Sequence, residues 1–128
     1  MAHELHDTCI EACDSCASAC NHCAAACLAE PDVQAMARCI RLDLDCAAMC
    51  QLAAAAMQRG SELAPQICGW CAELCDACGT ECMKHAHEHC QRCATACKAC
   101  ADECRRMPQM APADVPARVG GDLSRAAH

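Results

Sequence analysis

Nineteen of the 128 residues are cysteines, and their spacing is regular. Cys9, Cys13, Cys16, Cys20, Cys23 and Cys27 advance by alternating steps of four and three. Cys68, Cys71, Cys75, Cys78 and Cys82 keep this cadence, and so do Cys90, Cys93, Cys97, Cys100 and Cys104. Cys39, Cys46 and Cys50 are sparser, stepping seven and then four. Alternating threes and fours average ~3.5 residues, the period at which packed helices face a shared core. Thiols therefore hold the positions that Leu and Ile normally fill. A buried Cys or two serves as a small hydrophobe. Nineteen in register point to sulfur chemistry.

Sulfur donors in bulk select soft or borderline ions: Cu(I), Zn(II) or iron–sulfur clusters. Residues three or four apart on a helix have Cβ atoms ~5–6 Å apart, so side-chain rotation can bring both sulfurs to one ion. Cu(I), a closed-shell ion, is satisfied by few ligands. An adjacent pair with one sulfur from a neighbouring helix completes such a site. Zn(II) wants tetrahedral sets, usually gathered from turns and loops, whereas these cysteines run through continuous helical pattern. Charge points the same way. One monovalent ion per thiolate is neutral and can sit in a low-dielectric core, while zinc tetrathiolates would stack net negative charge there. The pattern favours many Cu(I) ions per chain. A zinc or general soft-metal reservoir, metallothionein-like in chemistry, is the alternative.

Other chemistries fit less well. Iron–sulfur motifs gather cysteines at a point rather than along a line. The Glu-x-x-His unit of di-iron bundles is missing, since Glu81 is followed at that spacing by Lys84 and Glu88 by Gln91. There is no HExxH, CxxCH, P-loop or dinucleotide glycine motif. A thiol oxidoreductase needs one exposed cysteine of lowered pKa, and none is singled out. The chain is expected to bind rather than catalyse.

Histidines and methionines collect near the ends of the stripes. Met36, Met83, His85, His87 and His89 fall close to Cys27 and Cys90, where a thioether and imidazole cluster reads as an entry that holds Cu(I) more weakly and passes it inward. His87 and His89 are favoured as ligands there over His85. His3, His6, Met57, Met107 and Met110 belong to the opposite end, where bulky side chains are expected to plug the interior, with a second entrance as the alternative. Asp43 stands four after Cys39 and three before Cys46, in the cysteine cadence. It is a weaker oxygen ligand unless Leu42 faces inward instead. His22 sits beside the stripe and is expected on the surface.

Four helices must position these groups, over about residues 5–28, 31–58, 62–84 and 87–106. Pro31 suits the start of the second, Gly60 the stop after it, and Ser61 the N-cap of the third. Short connections between long helices imply antiparallel neighbours. The expected fold is all-α, an up-down-up-down four-helix bundle over residues 1–107 with a cysteine-lined core. The first stripe would be ~27 Å long. Residues 108–128, with Pro108, Pro112, Pro116 and Gly120-Gly121, form a flexible tail in this reading. Gly69 and Gly79 interrupt the third helix, for close approach or by simple tolerance.

Composition narrows the setting. Only three Ile, eight Leu, three Val and one Trp are present, with no Phe or Tyr. Cys and Ala must therefore make the core. A net charge of −7 without basic patches argues against nucleic acid. No apolar run is long enough to span a membrane. Residues 1–8 lack a basic n-region and an apolar h-region, so a cytoplasmic location is expected. A reducing compartment keeps the thiols unpaired.

The pattern CxxxCxxCxxxCxxCxxxC on the first helix, with CxxCxxxCxxC on the third and fourth, resembles the bacterial copper storage proteins, cytosolic class, over about residues 3–107. The resemblance implies a four-helix bundle that stores many Cu(I) ions and assembles as a homotetramer. It also implies His or Met ligands at an open mouth, best matched by Met83, His87 and His89. It names no donor or acceptor protein.

Overall fold

The computed structural model describes residues 2–107, with side chains from residue 6 onward. Residues 108–128, including Met110, and the side chain of His3 lie outside the described residues. Among the described residues there are four α-helices and no strand: α1 (Ala2–Leu28), α2 (Ala37–Arg59), α3 (Ala64–Met83) and α4 (Glu88–Arg106). A 3-10 turn, Val33–Met36, precedes α2. No described helix is long and apolar enough to cross a membrane.

Each helix packs on the next in sequence, and α4 closes on α1. The directions follow from the sulfurs. Cys9 near the start of α1 lies 3.7 Å from Cys104 near the end of α4, and Cys27 lies 3.8 Å from Cys90. Cys39 meets Cys82 at 3.5 Å and Cys50 meets Cys71 at 3.6 Å, so α2 and α3 also run opposite ways. The expected antiparallel bundle is the fold. Diagonal helices meet through sulfur across the axis, as Cys16 and Cys75 do at 3.9 Å. Small residues allow this. Ala17, Ala24, Ala47, Ala54, Ala72, Ala94 and Ala101 are buried beside the thiols.

The starts of α2 and α3 come later than expected, and α1 already begins at Ala2. α2 begins at Ala37, not Pro31, because the chain first makes the 3-10 turn. That tighter turn brings Met36 into the core, where it is fully buried. α3 begins at Ala64, which puts Pro65 in the first turn, where its missing N–H is harmless. Ser61 caps the preceding turn instead, its Oγ accepting from the Leu63 N–H at 3.1 Å. Gly60 closes α2 at φ 67°, a left-handed conformation that favours glycine. Gly79 marks a close approach: a Cβ there would sit 3.3 Å from the Cys97 Cβ. Gly69 faces open space, so close approach does not account for it.

Candidate metal centre

The cadence that makes the helices amphipathic also turns every sulfur to the axis. All nineteen cysteines are free and buried, and each is at most 3% exposed. Neighbouring sulfurs form one continuous column. From one end it runs through Cys23, Cys27, Cys39 and Cys90, then Cys20, Cys78, Cys93 and Cys97, then Cys16, Cys46, Cys50 and Cys75, then Cys13, Cys71, Cys100 and Cys104. Within each of these four groups the sulfurs lie within 4.8 Å of one another. A further group, Cys16, Cys20, Cys46 and Cys97, bridges the second and third. Individual separations such as 3.6 Å for Cys46–Cys75 and Cys93–Cys20 far exceed the ~2.05 Å of a disulfide. They fit sulfurs that share an ion, since two ligands at ~2.3 Å from one metal are at most ~4.6 Å apart.

Burial sets the charge state. It pushes the Cys27 thiol up to about 11 and raises Cys90 as well. These thiols are therefore neutral before an ion arrives, and ionise when it does.

Asp43 is in the column, not Leu42. It is fully buried, while Leu42 is only partly so. Its Oδ1 accepts from the thiols of Cys78 at 3.1 Å, Cys93 at 3.3 Å and Cys82 at 3.6 Å, and its Oδ2 from Cys39 at 3.8 Å. Burial, reinforced by the nearby Cys93, pushes its carboxyl up to about 8. It is thus a neutral acid near neutral pH in the metal-free protein.

The end where the α1–α2 and α3–α4 turns meet holds the histidines. His89 Nδ1 lies 3.6 Å from the Cys23 sulfur, 3.8 Å from Cys27 and 3.5 Å from Cys90. On its other side Nε2 lies 2.8 Å from Glu30 Oε2. His87 stacks on His89, with centroids 5.2 Å apart, and meets Glu30 and Asp32. His85 is held by Glu81 at 3.0 Å. Glu81 is buried and also pairs with Arg38 and Lys84. Its burial would raise its carboxyl, but hydrogen bonds from His85 and Lys84 hold it below the usual value. Met83 is 70% exposed and faces a groove between α3 and α4. The thioether enclosed at this end is Met36. His22 is exposed, and Met57 and Met107 are buried at the far end. Sequence reasoning misses Glu30 as a partner of His87 and His89, because that pairing crosses between helix ends, and it overlooks the Glu81–His85 pair although the two stand at i,i+4 spacing.

A column of buried free thiols with an imidazole at one end is a soft-metal site of high capacity, and the family comparison agrees with it. The sequence profile of the copper storage proteins (Csp) matches residues 2–109. The chain belongs to this family. An uncharacterised cysteine-rich protein of Bacillus subtilis, YhjQ, is 54% identical over 83 residues, covering 65% of this chain and 77% of its own length. The Cu(I)-bound copper storage protein BsCsp3 is 51% identical with a TM-score of 0.79, over 82% of this chain and 99% of that one. A cytosolic copper storage protein from Streptomyces lividans, solved with five coppers, is 40% identical with a TM-score of 0.81, over 86% of this chain and 98% of its own. The Streptomyces protein has also been loaded with ten copper equivalents. As a Csp member, this chain shares the four-helix bundle of these relatives.

Proposed function

We propose that this chain is a cytosolic store that holds many Cu(I) ions in its thiol column and takes them in at the His89 end. One observation carries the reading: nineteen free thiols are all buried, and at least sixteen of them fall in groups of four within 4.8 Å of one another. Low-coordinate Cu(I) is served by any two or three neighbours in such a column. The array stays near neutral as it fills, one charge per thiolate, so burial is tolerated. Zinc would leave excess negative charge in the same space, and the Cu(I)-bound relative speaks for copper over the zinc alternative. Storage is a non-catalytic role.

The ligand set in this reading is all nineteen cysteines, with Asp43 as an oxygen donor in the second layer. His89 meets the thiols directly, and His87 stands outside it. His85 is held on Glu81 and Met83 faces outward, so both lie outside the inner set. The storing unit is the bundle through residue 107. In this reading the chain assembles as a homotetramer, as the family resemblance implies, and sedimentation velocity checks it. To test metal preference, reduced protein is first equilibrated with Zn(II) and then given Cu(I) anaerobically. Release of zinc from the thiol column, with about one proton displaced per Cu(I) bound by protonated thiols, supports the reading. Retention of zinc in the column contradicts it.

A further inference from the structure

The outer face of the mouth carries donors that the thiol column does not use. His87 Nδ1 and His89 Nε2 approach the same oxygen, Glu30 Oε2, at 3.4 Å and 2.8 Å. The remaining nitrogen of His87, Nε2, lies 3.5 Å from Asp32 Oδ1. Both His87 contacts are long for hydrogen bonds, and either a proton or a metal cation can bridge the nitrogen and the oxygen there.

The donor set favours the cation. Two imidazoles and a carboxylate suit borderline divalent ions rather than the soft Cu(I) of the thiols. Donors held ~2.0–2.1 Å from a tetrahedral ion stand ~3.3 Å apart; His87 Nδ1 is 3.4 Å from Glu30 Oε2 and His89 Nε2, at 2.8 Å, would have to draw back to admit the ion. Asp32 on the far nitrogen of His87 is the carboxylate that commonly orients a metal-bound imidazole and leaves its inner nitrogen free to ligate. Glu30 lies just past the end of α1, its amide bonded to the Cys27 carbonyl at 3.2 Å, where the negative end of the helix dipole favours a cation. The side chains of His87 and Glu30 are 31% and 24% exposed, which leaves access for the ion and for water as a further ligand.

We propose that Glu30, His87 and His89 form an outer site for a borderline divalent cation of the Zn(II) or Cu(II) type, distinct from the Cu(I) store. The site shares one ring with the store. A His89 that binds a divalent ion through Nε2 keeps its proton on Nδ1, the nitrogen that faces Cys23, Cys27 and Cys90. It then cannot offer that lone pair to Cu(I). Divalent occupancy and Cu(I) entry are therefore alternatives, and the outer ion acts as a stopper. The stopper role rests on the mouth reading above.

The test is anaerobic Cu(I) uptake from a chelate by reduced protein, with and without one equivalent of Zn(II) per chain. The wild type is compared with Glu30→Gln and Asp32→Asn, each first verified as helical. Equilibrium dialysis gives the zinc affinity of each protein. The expected result is slower initial uptake with zinc in the wild type, and no zinc effect in Glu30→Gln. Asp32→Asn should bind zinc roughly ten-fold more weakly. Zinc that slows all three proteins equally is bound by thiols, and overturns the proposal. So does zinc without effect on the wild type. Wild-type Cu(I) capacity without zinc is a separate reading: its collapse would remove the store while leaving the outer site to stand on its zinc affinity.

Discussion

Replacing Asp43 by Asn should flatten the pH dependence of folding in the reduced, metal-free protein. In the fold, burial among Cys39, Cys78, Cys82 and Cys93 keeps the carboxyl protonated up to about 8, whereas its ordinary value is 3.8. Between those two values the folded chain holds a proton that the unfolded chain has released. Stability then falls as pH rises through this window. Below 3.8 both states are protonated, so Asp43 adds no pH dependence. At about 1.4 kcal/mol per pH unit the full window corresponds to on the order of 6 kcal/mol. That rivals the whole stability of a small domain, so even a fraction of it is measurable. Asn keeps an oxygen acceptor for the thiols and carries no charge at any pH. The assay is urea unfolding by circular dichroism from about pH 5 to about pH 8, wild type against Asp43→Asn. Groups away from the column titrate alike in both proteins, so the difference between the two curves reads Asp43 together with the thiols coupled to it. The wild type should lose stability across this range relative to the variant. Parallel curves would refute the account of Asp43 as a neutral acid kept so by burial.

Three further outcomes are expected. Gly69→Ala adds a helix-favouring methyl in open space and should gain ~0.5–1 kcal/mol. Gly79→Ala meets the Cys97 Cβ at 3.3 Å and should fall ~1–3 kcal/mol below it; chemical denaturation checks both. His89→Ala should slow Cu(I) uptake in stopped-flow measurements yet barely change capacity, because its Nδ1 serves only the Cys23, Cys27 and Cys90 end. The metal-free protein should already be helical by circular dichroism, since neutral Cys and Ala fill its core.

The cysteine cadence alone makes the helices, their inward faces and the column legible, since one period fixes all three. Asp43 is legible as a position but not as a choice: neighbouring Leu42 competes for the interior, and only packing places the carboxylate there. The start of α2 is ambiguous in the sequence because Pro31 suits a helix start as well as a turn, and the drive to bury Met36 is tertiary. Met83 follows Cys82 by one residue, ~100° around the helix from a core position, and its outward direction can be read from that. His85, His87 and His89 flank a break between helices, where no period tells which ring faces inward. Glu30 is out of reach of the pattern, because its histidine partners come from the end of another helix, whereas Glu81 and His85 stand at the i,i+4 spacing that a helical reading can find.

The central claim is that the thiol column is a store, and its most direct test is an anaerobic titration of reduced protein with Cu(I) against a competing chelator. Binding of about 20 ions per chain, on the order of one per thiol, is the expected result. Saturation at about four or five ions, the capacity of separate four-thiolate sites, would contradict it.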